Sequence, residues 1–355
     1  MYHSLLKWSG IIGVTTMVLA TLGMLVYSIK KPLVYVQAED GGQMQSHKTQ
    51  TGQVHFEELS PTVREEAEHL CIPVAAGVTQ EAIHIDSDYM NHIMTITVDG
   101  MGMADLADGV YGSLYGIDRL QAADWDGQLI LMALLDDSYE YGAILENQKL
   151  MITLKAPREL YDRIVVLDAG HGGDDMGIEE NGVTESEFVL DIAGRVRELL
   201  AEEGIRVYMT RTEKENPDGA SRIQLANGMR ADMYISLHLG EGGEYGISAR
   251  YNGTYFTPLL TNAELADLLV RCTAQAVNNR GIGVFELGER TENGQEERPE
   301  EAALYDAQVP AVYVTLGAPG NRAEAELLCR EDYRQDLAQG IAQAVLDAYE
   351  KKRER

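Results

Sequence analysis

The sequence predicts an α/β protein whose main domain is a mostly parallel sheet with helices on both faces. A small all-β, sandwich-like domain and an N-terminal transmembrane helix are expected before it. Three observations support this prediction: strands alternate with amphipathic helices from Arg163 onward, short apolar runs bounded by turn signals fill the region before it, and the first thirty residues hold a long uncharged apolar run. Strand–helix alternation is typical of a parallel sheet covered on both sides.

These changes in composition divide the chain into four parts. We expect a membrane anchor or signal at 1–31, a polar linker at 32–60, a β-rich domain at 61–160 and an α/β domain at 162–352. The linker is rich in Gln, Ser, Thr and Gly and has no apolar periodicity, so it is predicted to act as a tether.

Residues 8–28 carry no charged side chain and lie between Lys7 and the pair Lys30-Lys31. About 20 apolar residues are enough for a helix to span a bilayer. An uncleaved anchor is favoured, because the run is long for a signal peptide and two lysines follow it. A signal cleaved after Ala38 and a buried core helix are the alternatives. Either an anchor or a signal predicts that the rest of the chain lies outside the cytoplasm, and an anchor predicts attachment to the cell membrane.

The composition excludes some classes of partner and site. A formal net charge of −28 repels phosphate backbones, so no nucleic-acid partner is expected. Cys71, Cys272 and Cys329 are widely spaced without a CxxC pair, so they predict neither a disulfide framework nor a cysteine zinc site.

The β-rich part contains short apolar runs that follow Asp-Gly or Asn residues, a pattern typical of β-hairpins. The clearest runs are His92–Val98, Gln128–Leu135 and Lys149–Leu154. Residues 61–70 are expected to form a short helix. The lone histidines of this part, His84 and His92, are interpreted as surface or core residues rather than as metal ligands.

The α/β part is predicted from buried apolar runs and amphipathic stretches in alternation. The expected strands are Ile164–Leu167, Ile205–Thr210, Met233–His238 and Val309–Leu316, and the expected helices are Thr184–Leu200, Ser221–Asn227, Asn262–Asn278 and Asp332–Lys351. Thr184 followed three residues later by Glu187 is a capping-box pattern, which predicts where the first helix begins.

Two histidines of this part fall where strands end. His171 lies in the glycine-rich loop after the first strand, and His238 ends the third. Ligands of open α/β sheets bind beyond the carboxyl ends of the strands. Glu185 lies in the first helical turn, where it could simply favour the positive helix end. Together the three residues make a His₂Glu set, a common catalytic zinc arrangement with an open fourth position.

A series of motifs in this part resembles the zinc-dependent N-acetylmuramoyl-L-alanine amidase family. The motifs are Val166-Leu-Asp-Ala-Gly-His-Gly-Gly173, Gly182-x-x-Glu185, Thr210-Arg211, Arg222-x-x-x-Ala-Asn227, Ala231-Asp-Met-Tyr-Ile-Ser-Leu-His238 and Pro310-Ala-Val-Tyr-Val314. The resemblance implies that His171, Glu185 and His238 bind Zn²⁺. It implies peptidoglycan as the substrate, cleaved at the amide between N-acetylmuramic acid and L-alanine. By pattern and position, the β-rich part resembles an AMIN-type domain, which implies a possible partner protein in the cell envelope.

The chain departs from the family pattern in two places. Thr315 stands where the family has a catalytic glutamate, and His238-Leu239-Gly240 replaces the usual His-Ala-Asn. Two hypotheses follow. The chain is a working zinc amidase that takes a proton-relaying carboxylate from Glu241, Glu244 or Glu286, or it is a catalytically impaired module of the same fold that binds zinc and peptidoglycan or regulates another hydrolase.

Overall fold

The computed structural model describes residues 56–354, except 65–66, 107–108, 214, 242–245, 254–259 and 288–298. The predicted anchor or signal at 1–31 lies outside the described residues, as does nearly all of the linker. Across the part of the chain that is described, no helix is both long and apolar enough to cross a bilayer.

The β-rich part forms two five-stranded sheets, in the orders β1-β7-β8-β5-β4 and β2-β6-β3-β10-β9. Alternate residues of Gln128–Leu135 are buried, as expected for a strand with one face on a core. Both sheets contribute side chains to one apolar cluster that includes Leu70, Ile96, Leu131 and Leu150. The strands are β1 Glu57–Glu58, β2 Thr62–Val63, β3 Leu70–Pro73, β4 Ile83–Asp88, β5 Ile93–Asp99, β6 Tyr111–Gly112, β7 Ile117–Trp125, β8 Gln128–Leu135, β9 Glu140–Glu146 and β10 Lys149–Lys155.

The short helix expected at 61–70 is wrong. Thr62–Val63 pairs in parallel with Tyr111–Gly112, and Leu70 begins a strand that pairs antiparallel with β10. The hydrogen-bond partners of this segment come from residues far along the chain. A local pattern of polar and apolar residues cannot reveal such partners.

The α/β part is built on a six-stranded sheet with the order β14-β11-β15-β18-β16-β17. The first four strands in that order are parallel, β16 runs antiparallel to β18, and β17 is parallel to β16. The sheet is therefore mostly parallel, as predicted. The strands of this part are β11 Ile164–Ala169, β12 Glu179–Glu180, β13 Val183–Thr184, β14 Arg206–Met209, β15 Met233–His238, β16 Ile247–Tyr251, β17 Gly281–Glu286 and β18 Ala311–Thr315.

Helices cover both faces of this sheet, as predicted. The helices are α1 Pro157–Leu160, α2 Glu185–Glu202, α3 Gly219–Gly228, α4 Asn262–Ala276, α5 Pro299–Ala303, α6 Arg322–Leu328 and α7 Glu331–Glu354. Val165 and Leu167 share one core with α2, α4, α6 and α7. Ile164 and Val166 share the other with α3 and α5. Successive strand residues point to opposite faces, which is why an unbroken apolar run can serve two cores.

The register of the two central strands determines where the functional residues lie. Ala169 is paired with Leu237, so the loop carrying His171 leaves β11 beside the end of β15, where His238 lies. Helix α2 begins at Glu185. The three candidate ligands therefore come from two neighbouring strand ends and one helix start.

Candidate metal centre

His171, Glu185 and His238 lie together at this edge of the sheet. Each offers one ligand atom, and the three atoms lie within 4.8 Å of one another. Glu185 Oε1 is 3.2 Å from His171 Nε2 and 3.1 Å from His238 Nδ1. Among the described residues, these form the one group of three or more His, Cys, Asp or Glu side chains with such spacing, and neither His84 nor His92 belongs to it.

The ring of His238 is fixed by its packing. It is 1 % exposed and stacks on the ring of Tyr313, with centroids 4.3 Å apart and planes inclined by 14°. A Cβ atom at Gly170 would collide with its other side, so only glycine fits there. The Nε2 atom is buried and has no hydrogen-bond partner in the described part of the chain. Nδ1, on the same ring, is the nitrogen that faces Glu185 at 3.1 Å, so it is the atom of His238 that could share a metal ion with the carboxylate.

Glu185 is the first residue of α2, and Thr184 is its N-cap as predicted. The predicted capping box does not form, because the Thr184 side chain makes no capping hydrogen bond. The preceding loop replaces it: the amides of Glu185 and Ser186 donate to the carbonyls of Ile178 and Met176, at 2.9 and 3.1 Å. Two of the first-turn donors are therefore satisfied by backbone, and the Glu185 side chain turns into the sheet edge, where it is 2 % exposed.

Two backbone amides hold the Glu185 carboxylate in place. Leu239 N donates to Oε1 at 2.8 Å, and Ile178 N donates to Oε2 at 3.0 Å. Both donors favour the charged carboxylate. Burial alone would raise the pKa of Glu185, but hydrogen bonds from His171 and His238 outweigh burial and hold the pKa well below its usual range.

His171 sits in a backbone conformation that is unusual for a residue with a side chain, with φ of +60°. Its carbonyl accepts a hydrogen bond from Arg222 at 2.8 Å, and its Nδ1 lies 2.9 Å from Asp175 Oδ2. Burial alone would lower the pKa of His171. Hydrogen bonds and charges from Glu185 and Asp175 outweigh burial and raise the pKa to about 9.

A buried polar network supports the loop from beneath. Asp168, at the end of β11, accepts hydrogen bonds from Thr210 and Arg222 on Oδ1 and from Tyr234 and Ser236 on Oδ2, at 2.6–2.7 Å. Burial would raise the pKa of Asp168, but the positive charges of Arg222 and His238 and these hydrogen bonds lower it. The carboxylate is thus fully paired although it is only 1 % exposed.

The Arg211 side chain binds backbone carbonyls of the same loop. Its guanidinium donates to the carbonyls of Ala169, Gly170 and Ser186 at 2.8–2.9 Å. Arg211, Arg222 and Asp168 all lie within the sequence motifs, but their roles have no local sequence signal. Each contact joins residues far apart along the chain, and only the fold brings them together.

The donor set fits a zinc ion. Four tetrahedral ligands at bond lengths of about 2.0–2.1 Å lie about 3.4 Å from one another. The two distances from Glu185 Oε1, 3.2 and 3.1 Å, are close to that value. Two imidazoles and one carboxylate with little solvent exposure are also the ligand types that zinc prefers.

Thr315 lies beside this group but contributes no carboxylate. It is paired with His238 in the register of β15 and β18 and is 7 % exposed. Its Cγ2 atom packs closely against Gly240 in the loop that leaves β15. A Cβ atom at Gly240 would lie only 2.9 Å from it.

Of the three acidic residues proposed as a substitute, Glu286 is a wrong candidate. Strand β16 runs antiparallel to β18, so Ser248 pairs with Thr315, whereas Tyr251, three residues on, pairs with Glu286. Three strand residues span about 10 Å, which places Glu286 at the other end of the sheet. Glu244 lies outside the described residues, and Glu241 is exposed in the loop that leaves β15.

Comparison with known proteins identifies the same family that the sequence motifs resemble. A protein-family profile described as N-acetylmuramoyl-L-alanine amidase matches residues 165–347, just over half of the chain. The protein YqiI of Bacillus subtilis is 27 % identical over 55 % of this chain and 88 % of its own length. The amidase AmiC of Neisseria meningitidis is 28 % identical over 51 % of this chain and 51 % of its own length. A crystal structure of N-acetylmuramoyl-L-alanine amidase from Clostridium difficile 630 is 27 % identical, with a TM-score of 0.46 over 53 % of this chain and 97 % of that one.

Proposed function

Because the chain belongs to the N-acetylmuramoyl-L-alanine amidase family, we propose that it hydrolyses the amide between N-acetylmuramic acid and L-alanine in peptidoglycan with one bound zinc ion. The observation that carries this proposal is the convergence of His171, Glu185 and His238 at one edge of the sheet. When bound there, zinc supplies a Lewis acid for the amide carbonyl and makes a bound water more acidic.

The protein's part in this reaction is to hold the ligands in one arrangement. The amides of Leu239 and Ile178 keep the Glu185 carboxylate charged and oriented. Tyr313 fixes the plane of the His238 ring. Three protein ligands leave one coordination position for water or substrate, which is the difference between catalytic and structural zinc sites.

A carboxylate must also take a proton from the attacking water and return it to the leaving amine. We assign this role to Glu241, which follows His238 by three residues in the loop that leaves β15. The loop is tied to the exit of β18, because Gly240 N donates to Gly317 O at 2.7 Å. A Glu241→Gln variant should keep its zinc and lose about 10²–10⁴-fold in rate.

A second function is favoured by one observation, the threonine at position 315 beside His238. A threonine hydroxyl does not relay protons near neutral pH. Under this alternative the chain binds zinc and peptidoglycan without turnover and acts as a binding or regulatory module.

The remaining parts of the chain concern location. We propose that 1–31 is an uncleaved anchor in the cell membrane, with the folded parts outside the cytoplasm, and that the AMIN-like part at 61–160 contacts a partner protein of the envelope. The uncharged run at 8–28 supports the anchor. N-terminal sequencing of the protein recovered from the membrane fraction tests it, since a mature chain beginning after Ala38 would contradict it.

The activity is tested with the purified full-length protein, zinc and isolated peptidoglycan. We expect new peptide amino termini that begin with L-alanine, together with glycan strands freed of their stems. Glu185→Gln, which removes one ligand charge, is the inactive comparison. If the zinc-loaded protein releases no such peptides but sediments with peptidoglycan, the binding module is the correct function.

A further inference from the structure

The ring of His171 is held from both sides by carboxylates, and only one of them belongs to the ligand set. Nε2 faces Glu185 Oε1 at 3.2 Å, while Nδ1 faces Asp175 Oδ2 at 2.9 Å. A neutral imidazole carries its proton on one nitrogen and a lone pair on the other. A proton on Nδ1 that is donated to Asp175 leaves the lone pair of Nε2 directed at the proposed metal position.

Asp175 is itself held in place by its own turn. Gly172 and Asp175 exchange two backbone hydrogen bonds, each 2.9 Å long, and Oδ1 accepts from the amide of Gly177 at 3.0 Å. The two carboxylate oxygens therefore have separate functions. Oδ1 closes the turn, and Oδ2 binds the histidine.

The same turn packs against two of the three ligands. A Cβ at Gly177, where φ is +65°, would lie 2.7 Å from His171 Cδ2 and 2.8 Å from Glu185 Oε2. The amide of Gly177 is the one that Asp175 Oδ1 accepts from. Asp175 therefore contacts His171 directly and also holds the residue that packs against both ligands.

The neighbouring aspartate serves as an internal comparison. Asp174 has the same charge, is one residue away and is exposed like Asp175, yet it makes no side-chain hydrogen bond to any described residue. In a chain with 57 acidic residues, a carboxylate near a histidine could be chance. Two oxygens with two defined donors are not explained by acidity alone.

We propose that Asp175 is a positioning residue of the metal centre, which fixes the Nδ1–H tautomer and the orientation of His171 so that Nε2 can bind zinc. The inference rests on the proposed zinc function. Carboxylates behind a metal-bound histidine usually contribute about 10–100-fold to metal affinity.

The test compares zinc affinity in the full-length protein by competition with a chromogenic chelator. We expect the zinc Kd of Asp175→Ala to rise by about 10–100-fold. Asp174→Asn, with its similar loss of charge, should stay within about twofold of the wild type. Asp175→Asn should give a smaller rise in zinc Kd than Asp175→Ala, because its amide oxygen can still accept a hydrogen bond from one of the two donors.

A second readout separates positioning from general stability. The metal-free forms of Asp175→Asn and Asp174→Asn should unfold at the same denaturant concentration, whereas the visible spectrum of the cobalt-substituted protein should change only in the Asp175 variants. An unchanged zinc Kd in Asp175→Ala overturns the proposal. So does a loss of affinity that is matched by the same loss of metal-free stability.

The outcome is independent of the hydrolytic assay. A wild type that cleaves peptidoglycan while Asp175→Ala binds zinc normally leaves the proposed function intact and removes this inference. A wild type that binds zinc in an Asp175-dependent way without cleaving peptidoglycan supports this inference and contradicts the proposed hydrolysis.

Discussion

Thr315 and His238 lie directly opposite each other on neighbouring parallel strands, and the amide of Leu316 donates to the His238 carbonyl at 2.9 Å. Paired residues of adjacent strands point to the same face of the sheet. A side chain at 315 therefore lies beside a proposed zinc ligand. A carboxylate at this position could exchange protons with water on the proposed zinc ion.

If the wild type lacks a proton relay, as the binding-module alternative requires, we expect Thr315→Glu to raise the rate of peptidoglycan amide hydrolysis by about 10²–10⁴-fold, because it supplies a general base beside the proposed metal position. The measurement is the rate at which new L-alanine amino termini appear, at a fixed zinc content. Thr315→Gln is the matched control, since it adds the same bulk to a position that is only 7 % exposed but carries no charge.

A Thr315→Glu variant that folds, binds one zinc and shows no gain would mean that position 315 does not limit the reaction. In that case the proton relay comes entirely from the loop after β15. The Glu241→Gln variant should then lose nearly all of the hydrolytic activity.

The ligand assignment is tested by removing one imidazole. We expect His238→Ala to lose stoichiometric zinc after dialysis, because it removes Nδ1, the nitrogen that faces Glu185, together with the ring that stacks on Tyr313. His84→Ala is the control, since His84 lies in the β-rich part and its closest acidic partner is Asp99 at 3.7 Å. Full retention of zinc by the His238 variant would remove His238 from the ligand set.

The central strands, and the meeting of the three candidate ligands at one edge of the sheet, could be predicted from the sequence for a physical reason. Ile164–Ala169 and Met233–His238 are buried along their whole length, so their apolar runs are unbroken. A histidine that ends such a run must lie at the carboxyl edge of the sheet. The start of a helix is likewise signalled locally, so Glu185 could be placed as well.

The other features depend on long-range contacts that leave no local signal. Strand β17 is the edge strand and β16 lies next to it. β16 alternates buried with half-buried residues and β17 has only half-buried and exposed ones, so neither has a continuous buried apolar run. Glu286 was a plausible substitute base until the direction of β16 placed it at the other end of the sheet. Asp175 lies in a polar loop whose closure is evident only from its paired backbone atoms.

The buried Asp168–Arg222 pair should make stability depend on acid. The folded state lowers the pKa of Asp168, so its contribution is fully present above the unfolded pKa, about 3.9, and is lost as pH falls through the lower folded pKa. Asp168→Asn should therefore flatten the decline in unfolding free energy below about pH 4. Urea unfolding at several pH values measures this.

The same variant tests the cost of leaving a charge unpaired. Without the carboxylate, the Arg222 guanidinium stays buried beside a neutral amide, and we expect a loss of about 3–5 kcal/mol at neutral pH. Asp174→Asn serves as the control, because surface substitutions usually change stability by less than about 0.5 kcal/mol. Equal stability of the two variants would contradict this account of the network.

The β-rich part and the α/β part are joined by a buried carboxylate. Glu140, at the start of β9, is 4 % exposed and accepts hydrogen bonds from Arg206 at 3.0 Å and from the Tyr208 hydroxyl at 2.5 Å, both on β14. Its other oxygen accepts from Tyr89 at 3.2 Å, and the rings of Tyr89 and Tyr208 meet edge to face with centroids 5.1 Å apart. The contact links the two sheets through one residue.

We expect Glu140→Ala to lower the free energy of unfolding by about 3–5 kcal/mol, because it removes the buried carboxylate that pairs with the guanidinium of Arg206 and accepts from Tyr208. Glu146→Ala, which removes an exposed carboxylate from the other end of the same strand, should cost less than about 0.5 kcal/mol. Calorimetry provides a second readout. If Glu140 couples the two parts, we expect the wild type to unfold in one transition and Glu140→Ala to unfold in two. One transition at the same midpoint in both proteins would show that the parts are held together by other contacts.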